Sequence, residues 1–162
     1  MEKPVIKTLS KAILRRFYGE IIRIDRNQMK DFEKWDKDNF LLDLPLKFKL
    51  SFFVISKKKL IGYGIISQKS DSAHIHRIAV SPEYTGRGIG HQMIRFLKQK
   101  ARNHDCYKIV AETLKGIKSN KFYQKEGFKK LSLTEQKKYA LTKKPDIRRK
   151  FMKESYVFEL KI

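Results

Sequence analysis

Cysteine, proline and long apolar runs are scarce in this chain, and each shortage excludes a class of protein. The one cysteine, Cys106, cannot form an internal disulfide, so a disulfide-stapled secreted domain is excluded. With four prolines and eight glycines in 162 residues we find no linker, and a single domain over 1–162 is predicted. No apolar stretch approaches the roughly 18 residues of a membrane span, and the charged N-terminal segment does not resemble a signal peptide. We therefore expect one cytoplasmic domain that does not enter a membrane.

Acidic residues are scarce as well. The chain has 17 Asp and Glu against 38 Lys and Arg, a net charge of +21. Such a field favours anionic partners, for example phosphates, nucleotides, RNA or acidic protein surfaces. Much of the excess lies between residues 115 and 154. Two interpretations stay open, a polyanion-binding surface and ordinary solvated faces, because no RNA-binding motif accompanies the charge. A monomer and a homodimer are equally compatible with this net charge.

The periodicity of apolar residues predicts an α/β protein with a mixed sheet and helices on both faces. Predicted strands are 5–9, two hairpin strands joined at 56–59, 73–80, 108–114, 128–133 and the C-terminal SYVFELKI. Predicted helices are one capped by Ser10 and reaching Ile22, one over 35–44, one over 88–103, and a short one ending at Gly127. The basic segment 134–154 is predicted as a loop with a helical turn. We find no His/Cys cluster with metal-ligand spacing, so no metal site is predicted.

Three glycines in five positions separate the predicted strand 73–80 from the helix that follows it. The first amides of a helix have no partner within the helix and carry the positive end of its dipole. Glycines allow an anion to approach that backbone closely. The turn lacks the Lys-Ser/Thr of a P-loop, and His91 stands where a dinucleotide-binding turn needs glycine. The segment therefore predicts a phosphate site of another kind.

The segment Thr85-Gly86-Arg87-Gly88-Ile89-Gly90 resembles motif A of the GNAT acyltransferase superfamily, [Arg/Gln]-x-x-Gly-x-[Gly/Ala]. Thr85 departs from the pattern at its first position. The segment FYQKEGF (122–128) is similar to the family's (L/F)Y-x-K-x-GF, and IGYG (61–64) to its second hairpin strand. Trp35 and Phe40 stand where ribosomal-protein alanine N-acetyltransferases carry W-x(4)-F. The resemblance covers 35–131 and is nearest in pattern to the ribosomal-protein alanine and protein N-terminal acetyltransferases.

The resemblance implies a mostly antiparallel sheet of six or seven strands with one splayed parallel pair, and acetyl-CoA as the acyl donor. Pantetheine would lie along the strand ending at Val80, and the diphosphate would lie on the glycine turn. The implied cofactor-binding residues are Ile78, Ala79, Val80, Thr85, Gly86, Arg87, Gly88, Ile89, Gly90 and His91.

The same resemblance implies direct attack of an amine on the thioester in a ternary complex. Tyr123 stands at the family's general-acid position. Glu112 resembles the strand glutamate that precedes the acid tyrosine in N-terminal acetyltransferases, and His74 stands where other branches of the family place a glutamate base. Glu112 is favoured over His74 as the base, and a water relay stays open with either.

The acceptor is expected to be a protein N-terminus, which the Trp35/Phe40 and Glu112/Tyr123 pairs favour. The charge favours instead an anionic small acceptor, such as an amino-sugar nucleotide, or aminoacyl-tRNA. A non-catalytic module that binds acetyl-CoA or nucleic acid is the alternative from another class.

Overall fold

The computed structural model describes residues 3–30 and 32–162. Its strands are Val5–Thr8 (β1), Phe52–Ser56 (β2), Lys59–Lys69 (β3), Ser72–Val80 (β4), Lys108–Leu114 (β5), Lys129–Lys130 (β6) and Ser155–Lys161 (β7). Its helices are Lys11–Arg16 (α1), Tyr18–Gln28 (α2), Lys37–Leu41 (α3), Lys47–Leu50 (α4), Ile89–Arg102 (α5), Lys118–Lys125 (α6), Leu133–Ala140 (α7) and Pro145–Glu154 (α8).

The strands form one seven-stranded sheet in the order β1-β2-β3-β4-β5-β7-β6. Every described pair of neighbours is antiparallel except β4 and β5, which run parallel. These two strands pair only from Ser72 with Lys108 to Ile75 with Ala111, and then separate. The predicted mixed sheet with a splayed parallel pair is therefore confirmed.

A β-bulge lies in β4 at the point where the strands separate. Ile75 pairs with Ile66 on β3 and Arg77 pairs with Ile65, so His76 is the extra residue. A bulge interrupts the alternation of side chains, which allows two consecutive residues to lie on one face. His76 and Arg77 accordingly both contact groups on the α2 side of the sheet.

Helices cover both faces of the sheet, as the sequence predicted. On one face α1, α2 and α3 bury Leu14, Ile21 and Phe40 against β2 and β3. On the other face α5 and α6 bury an apolar cluster that includes Met93 and Tyr123. A third cluster joins α7 and α8 to β5 and β7.

Two predictions in the N-terminal part are wrong in detail. The helix capped by Ser10 is interrupted at Phe17, which is the C-cap of α1 and the N-cap of α2. The helix predicted over 35–44 is limited to Lys37–Leu41, with a capping box from Asp36 and Asn39. The short α4, which follows Pro45, was not predicted.

The C-terminal part holds the larger correction. The strand predicted over 128–133 is confined to Lys129–Lys130, because Ser132 and Glu135 form the capping box of α7. The segment predicted as a basic loop contains α7 and α8, and Pro145 begins α8. Long basic side chains on both helices hide their apolar periodicity.

No helix within residues 3–30 and 32–162 is long and apolar enough to cross a membrane. No group of three or more His, Cys, Asp and Glu side chains in that part of the chain is placed to hold a metal ion.

Candidate active site

A cleft of about 940 Å³ opens where β4 and β5 separate. It is bounded by residues 75–80 of β4, by the turn and helix start 84–91, and by α6. Nine of the ten predicted cofactor residues line it. Arg87 is not among them, because its guanidinium lies over the Tyr84 ring, 5.2 Å from the ring centre.

The three glycines of the turn have two different roles. Gly86 and Gly88 have φ angles of +73° and +74°, and a Cβ at either position would meet no atom within 4 Å. They therefore combine a backbone shape that favours glycine with open space for an anion. A Cβ on Gly90 would instead come within 2.9 Å of the Phe122 ring. Gly90 thus allows α5 and α6 to approach each other.

The start of α5 is suited to a diphosphate. Gly88 is its N-cap, and no side chain caps the first amides. Lys118 and Lys125 on α6 line the same cleft and add positive charge. His91 Nδ1 lies 2.9 Å from Glu126 Oε2, a contact that joins the start of α5 to the end of α6. These features fit the phosphates of coenzyme A.

The exposed edge of β4 fits the pantetheine chain. Residues 76–80 line the cleft and have no β5 partner, whereas residues 77–80 still pair with β3. Unpaired amide and carbonyl groups of a strand are satisfied by an extended ligand that carries amides of its own. The described residues therefore offer acetyl-CoA both a phosphate cradle and a strand edge.

Tyr123 and Glu112 reach the cleft from opposite faces of the sheet. On β5, Ile109 and Ala111 enter the apolar cluster of α5 and α6, which also contains Tyr123. Val110 packs with α7 and α8 instead. Because side chains alternate along a strand, Glu112 shares the face of Val110. Both Glu112 and Tyr123 line the cleft.

The Tyr123 ring is buried among aromatic rings, stacked on Phe158 and in edge contact with Phe122 and Phe128. Its hydroxyl makes no hydrogen bond to a described residue. Burial raises the pKa of Tyr123 well above its usual range, so the hydroxyl is protonated at neutral pH. It is therefore a hydrogen-bond donor that faces a ligand cleft.

Glu112 has two partners from the C-terminal helices. The Tyr139 hydroxyl donates a hydrogen bond of 2.6 Å to Glu112 Oε1. The Lys143 ammonium forms an ion pair with the same oxygen. Burial first, and then the charge of Glu112, raises the pKa of Tyr139, so this hydroxyl too remains a donor.

These residues surround a second cavity of about 390 Å³. It adjoins the cleft along Ile75, His76, Arg77, Glu112 and Thr113, which line both spaces. Lys69, Trp35 and Glu33 complete its wall away from the cleft. The arrangement can hold an acyl donor in the cleft and its acceptor in the second cavity, called the acceptor cavity below, with Glu112 between them.

His74 lies in this second cavity and not in the cleft. Its ring stacks on Tyr139 with the ring centres 6.4 Å apart. Burial, and next the charge of Lys69, lower the pKa of His74 to about 4. The imidazole is therefore neutral at neutral pH and a weak acceptor of protons.

A buried ion pair joins β4 to α2, and a hydrogen bond from the same arginine attaches the segment before α3 to β4. Arg77 Nε lies 3.6 Å from Asp25 Oδ1 on α2, and the Arg77 guanidinium donates to the carbonyl of Glu33. The guanidinium also lies 4.7 Å from the centre of a Trp35 ring. Arg77 therefore fixes the wall of the acceptor cavity opposite Tyr139.

Lys118, Lys125, Tyr139 and Lys143 are among the residues that were not predicted as site residues. Of the first two, Lys125 belongs to the FYQKEGF segment and Lys118 lies four residues before it, so both follow from the position of α6. The latter two belong to the segment predicted as a loop. The one available signal was Ser132 followed by Glu135, a capping-box pattern that places Tyr139 in a helix.

Comparison with known proteins agrees with this geometry. A segment of 56 residues, 35% of this chain, is 38% identical to part of the curated glucosamine 6-phosphate N-acetyltransferase of Trypanosoma brucei brucei. The match spans 37% of that relative's length.

Two solved structures share the fold at 17% identity and a TM-score of 0.72. The ribosomal-protein-S18-alanine N-acetyltransferase of Escherichia coli matches over 99% of this chain and 94% of its own. The PaiA N-acetyltransferase of Thermoplasma acidophilum, in complex with coenzyme A, matches over 99% of both chains.

Residues 14–128 match the sequence model of the acetyltransferase (GNAT) family, more than half of the chain. The predicted enzyme class is thereby confirmed, and the chain belongs to the GNAT family of acetyltransferases, which use acetyl-CoA as acyl donor.

Proposed function

We propose that this protein acetylates the primary amine of a small acceptor that also carries an anionic group. The observation that carries the proposal is the Lys143–Glu112 ion pair in the wall of the acceptor cavity. An amine bound at Glu112 has to displace the Lys143 ammonium. An amine without an anionic group would leave the Lys143 ammonium without its partner, which makes the free energy of binding less favourable.

An acceptor with both an ammonium and an anion avoids this cost. Its ammonium pairs with Glu112, and its anion pairs with the released Lys143. The single ion pair between Lys143 and Glu112 is then replaced by two attractive ion pairs between the protein and the acceptor. Lys69 and Arg77 in the same wall add positive charge, and the negative side chains in that wall are Glu33 and Glu112.

The size of the cavity also supports a small acceptor. Its volume of about 390 Å³ lies at the lower end of the range for small-molecule pockets. The segment before α3 lines it, and so do Tyr139 of α7 and Lys143 of the turn that follows. The relative from Trypanosoma brucei brucei is named for glucosamine 6-phosphate, an amine with a phosphate group. An amino-sugar phosphate or nucleotide meets all of these conditions.

The chemistry follows from the opposed positions of Glu112 and Tyr123. Acetyl-CoA supplies a thioester carbon that accepts the lone pair of a neutral amine. Glu112, directly or through one water molecule, removes a proton from the bound ammonium. Tyr123 donates a hydrogen bond to the departing sulfur as its negative charge develops. His74 is a poorer candidate base, because it lines only the acceptor cavity, whereas Glu112 lines the donor cleft as well.

A protein N-terminus is the second candidate acceptor. It is supported by Trp35, which contacts Phe40 with ring centres 5.2 Å apart and extends to the cavity wall. The fold is also compatible with such an acceptor, because it is shared with the ribosomal-protein-S18-alanine N-acetyltransferase.

The test is a mass-spectrometric screen with acetyl-CoA and paired acceptors. Each pair consists of an amine and its phosphorylated or carboxylated analogue, beginning with glucosamine and glucosamine 6-phosphate. Peptides with free N-termini, alanine first among them, and aminoacyl-tRNA are included. We expect acetylation of the anionic member of a pair. Acetylation of peptides or tRNA alone would overturn the proposal, and bound acetyl-CoA with no acetylated acceptor would favour a non-catalytic module.

A further inference from the structure

We propose that Lys143 is an internal acceptor, so that the enzyme acetylates its own Lys143 Nζ when no external amine occupies the cavity. The inference rests on the proposed acetyl transfer. It adds a modification site and a form of self-regulation.

The placement of Lys143 carries the inference. Its Nζ contacts Oε1 of Glu112, the candidate base, at the border between the acceptor cavity and the donor cleft. A primary amine at the base is the arrangement that an external acceptor would have to create. Within the described chain, Lys143 is the lysine that forms an ion pair with Glu112.

The surroundings hold Lys143 inward. Its ammonium lies over the rings of Phe151 and Tyr139, 5.3 and 5.4 Å from their centres. Arg148 Nε donates a hydrogen bond of 3.0 Å to the Lys143 carbonyl and thereby fixes the turn between α7 and α8. The side chain is only 21% exposed, whereas the neighbouring Lys144 is exposed to solvent.

The flexible side chain provides the remaining reach. The four-carbon stem of lysine is flexible, and its partner Glu112 itself lines the cleft, so Nζ has only to turn past this carboxylate. Glu112 accepts one proton from the ammonium, and the nitrogen lone pair forms a bond to the thioester carbonyl carbon. The carbon–sulfur bond breaks, and the sulfur leaves with its electron pair. After the amide nitrogen loses its second proton, the products are N-acetyl-Lys143, the thiol of coenzyme A and one released proton.

The product has a defined effect on the site. An acetylated Lys143 has no positive charge, so it neither pairs with Glu112 nor binds the anion of an acceptor. The enzyme would therefore reduce its own activity when acetyl-CoA is abundant and the acceptor is scarce.

The test measures acetylation of the full chain incubated with acetyl-CoA alone. Cleavage after glutamate yields the peptide 136–154, which contains six lysines, namely Lys137, Lys138, Lys143, Lys144, Lys150 and Lys153. Fragment ions then give the occupancy of each lysine. Lys144 is the matched internal control, because chemical acetylation favours the exposed amine. We expect Lys143 to acquire acetyl groups roughly 10-fold faster than Lys144, at a rate independent of protein concentration.

The variant Tyr123→Phe separates enzymatic from chemical acetylation. We expect it to slow acetylation of Lys143 roughly 10-fold or more and to leave Lys144 unchanged. Equal occupancy at the two lysines, or no effect of Tyr123→Phe on Lys143, would overturn the inference. A thermal shift with acetyl-CoA and the screen of external acceptors are run in parallel. Acetylated external amine without acetyl-Lys143 overturns this inference alone, whereas the absence of any thermal shift overturns the proposed function as well.

Discussion

The Tyr139 hydroxyl on α7 donates a 2.6 Å hydrogen bond to the Glu112 carboxylate at the end of β5. The candidate base is therefore held by a helix that lies 27 residues further along the chain. Lys143, in the turn after that helix, contacts the same oxygen. The position of Glu112 between cleft and cavity thus depends on α7 and α8, in addition to the sheet.

The variant Tyr139→Phe tests this dependence. It removes one donor from Glu112 and keeps the ring that stacks on His74. We expect the free energy of unfolding to fall by about 1.5–3 kcal/mol, the usual value for a hydrogen bond to a charged group. We also expect kcat to fall roughly 10-fold, because Glu112 is less well oriented. Urea unfolding and steady-state kinetics measure the two effects, with the exposed Tyr107→Phe as control. An unchanged kcat would show that Tyr139 does not orient the base.

The variant Tyr123→Phe tests the donor to the sulfur. The hydroxyl makes no hydrogen bond to a described residue, so the apolar packing of the ring is preserved. We expect the Kd for acetyl-CoA, measured by titration calorimetry, to stay within about two-fold of the original, and kcat to fall roughly 100-fold. If kcat is retained at every pH, Tyr123 has no part in the chemistry.

The variant Gly88→Ala tests the phosphate cradle. The φ angle of +74° strains alanine by about 1–2 kcal/mol, and the new Cβ projects into the open space of the turn. We expect both lower stability and a weaker Kd for coenzyme A. Gly19→Ala is the control, since Gly19 lies in α2 and a Cβ there meets no atom within 4 Å. Equal Kd values for the two variants would exclude the turn as the diphosphate site.

His74 makes stability depend on pH. Its pKa is about 4 in the folded protein, against 6.5 for an unperturbed histidine. Between these values the unfolded chain binds a proton that the folded chain does not, so the free energy of unfolding decreases as pH falls from 6.5 to 4. Allowing for solvent screening, we expect a loss of about 2 kcal/mol.

Urea unfolding at pH 7, 5.5 and 4.5 measures this effect. The variant His74→Gln should show a flatter dependence over the same interval, and His104→Gln serves as the control because it leaves His74 in place. Parallel curves for the original protein and His74→Gln would contradict the lowered pKa.

Much of the fold is predictable because its signals are local. The alternation of AHIHRIAV, the glycine turn and the periodicity of 88–103 predict β4, the turn after it and α5 within one or two residues. The separation of β4 and β5 was available only from the family resemblance. A pairing that stops after four residues leaves no pattern in either strand.

The acceptor cavity is less predictable because distant segments build it. The bulge at His76 depends on the register between β3 and β4, which the sequence of β4 does not specify. Tyr139 and Lys143 reach Glu112 through α7 and α8, whose many lysines mask the short apolar stripe. Glu112 and Tyr123 were predicted from the family motif, whereas their approach from opposite faces needed the structure.

The central claim is that Lys143 and Glu112 select an amine with an anionic group. The most direct measurement is the ratio of kcat/KM for glucosamine 6-phosphate and glucosamine, in the original protein and in Lys143→Met. The account predicts a ratio of roughly 10 to 100 in the original protein, which corresponds to one charged hydrogen-bonded pair, and a ratio near one in Lys143→Met. A preference for glucosamine, or the same ratio in both proteins, would contradict it.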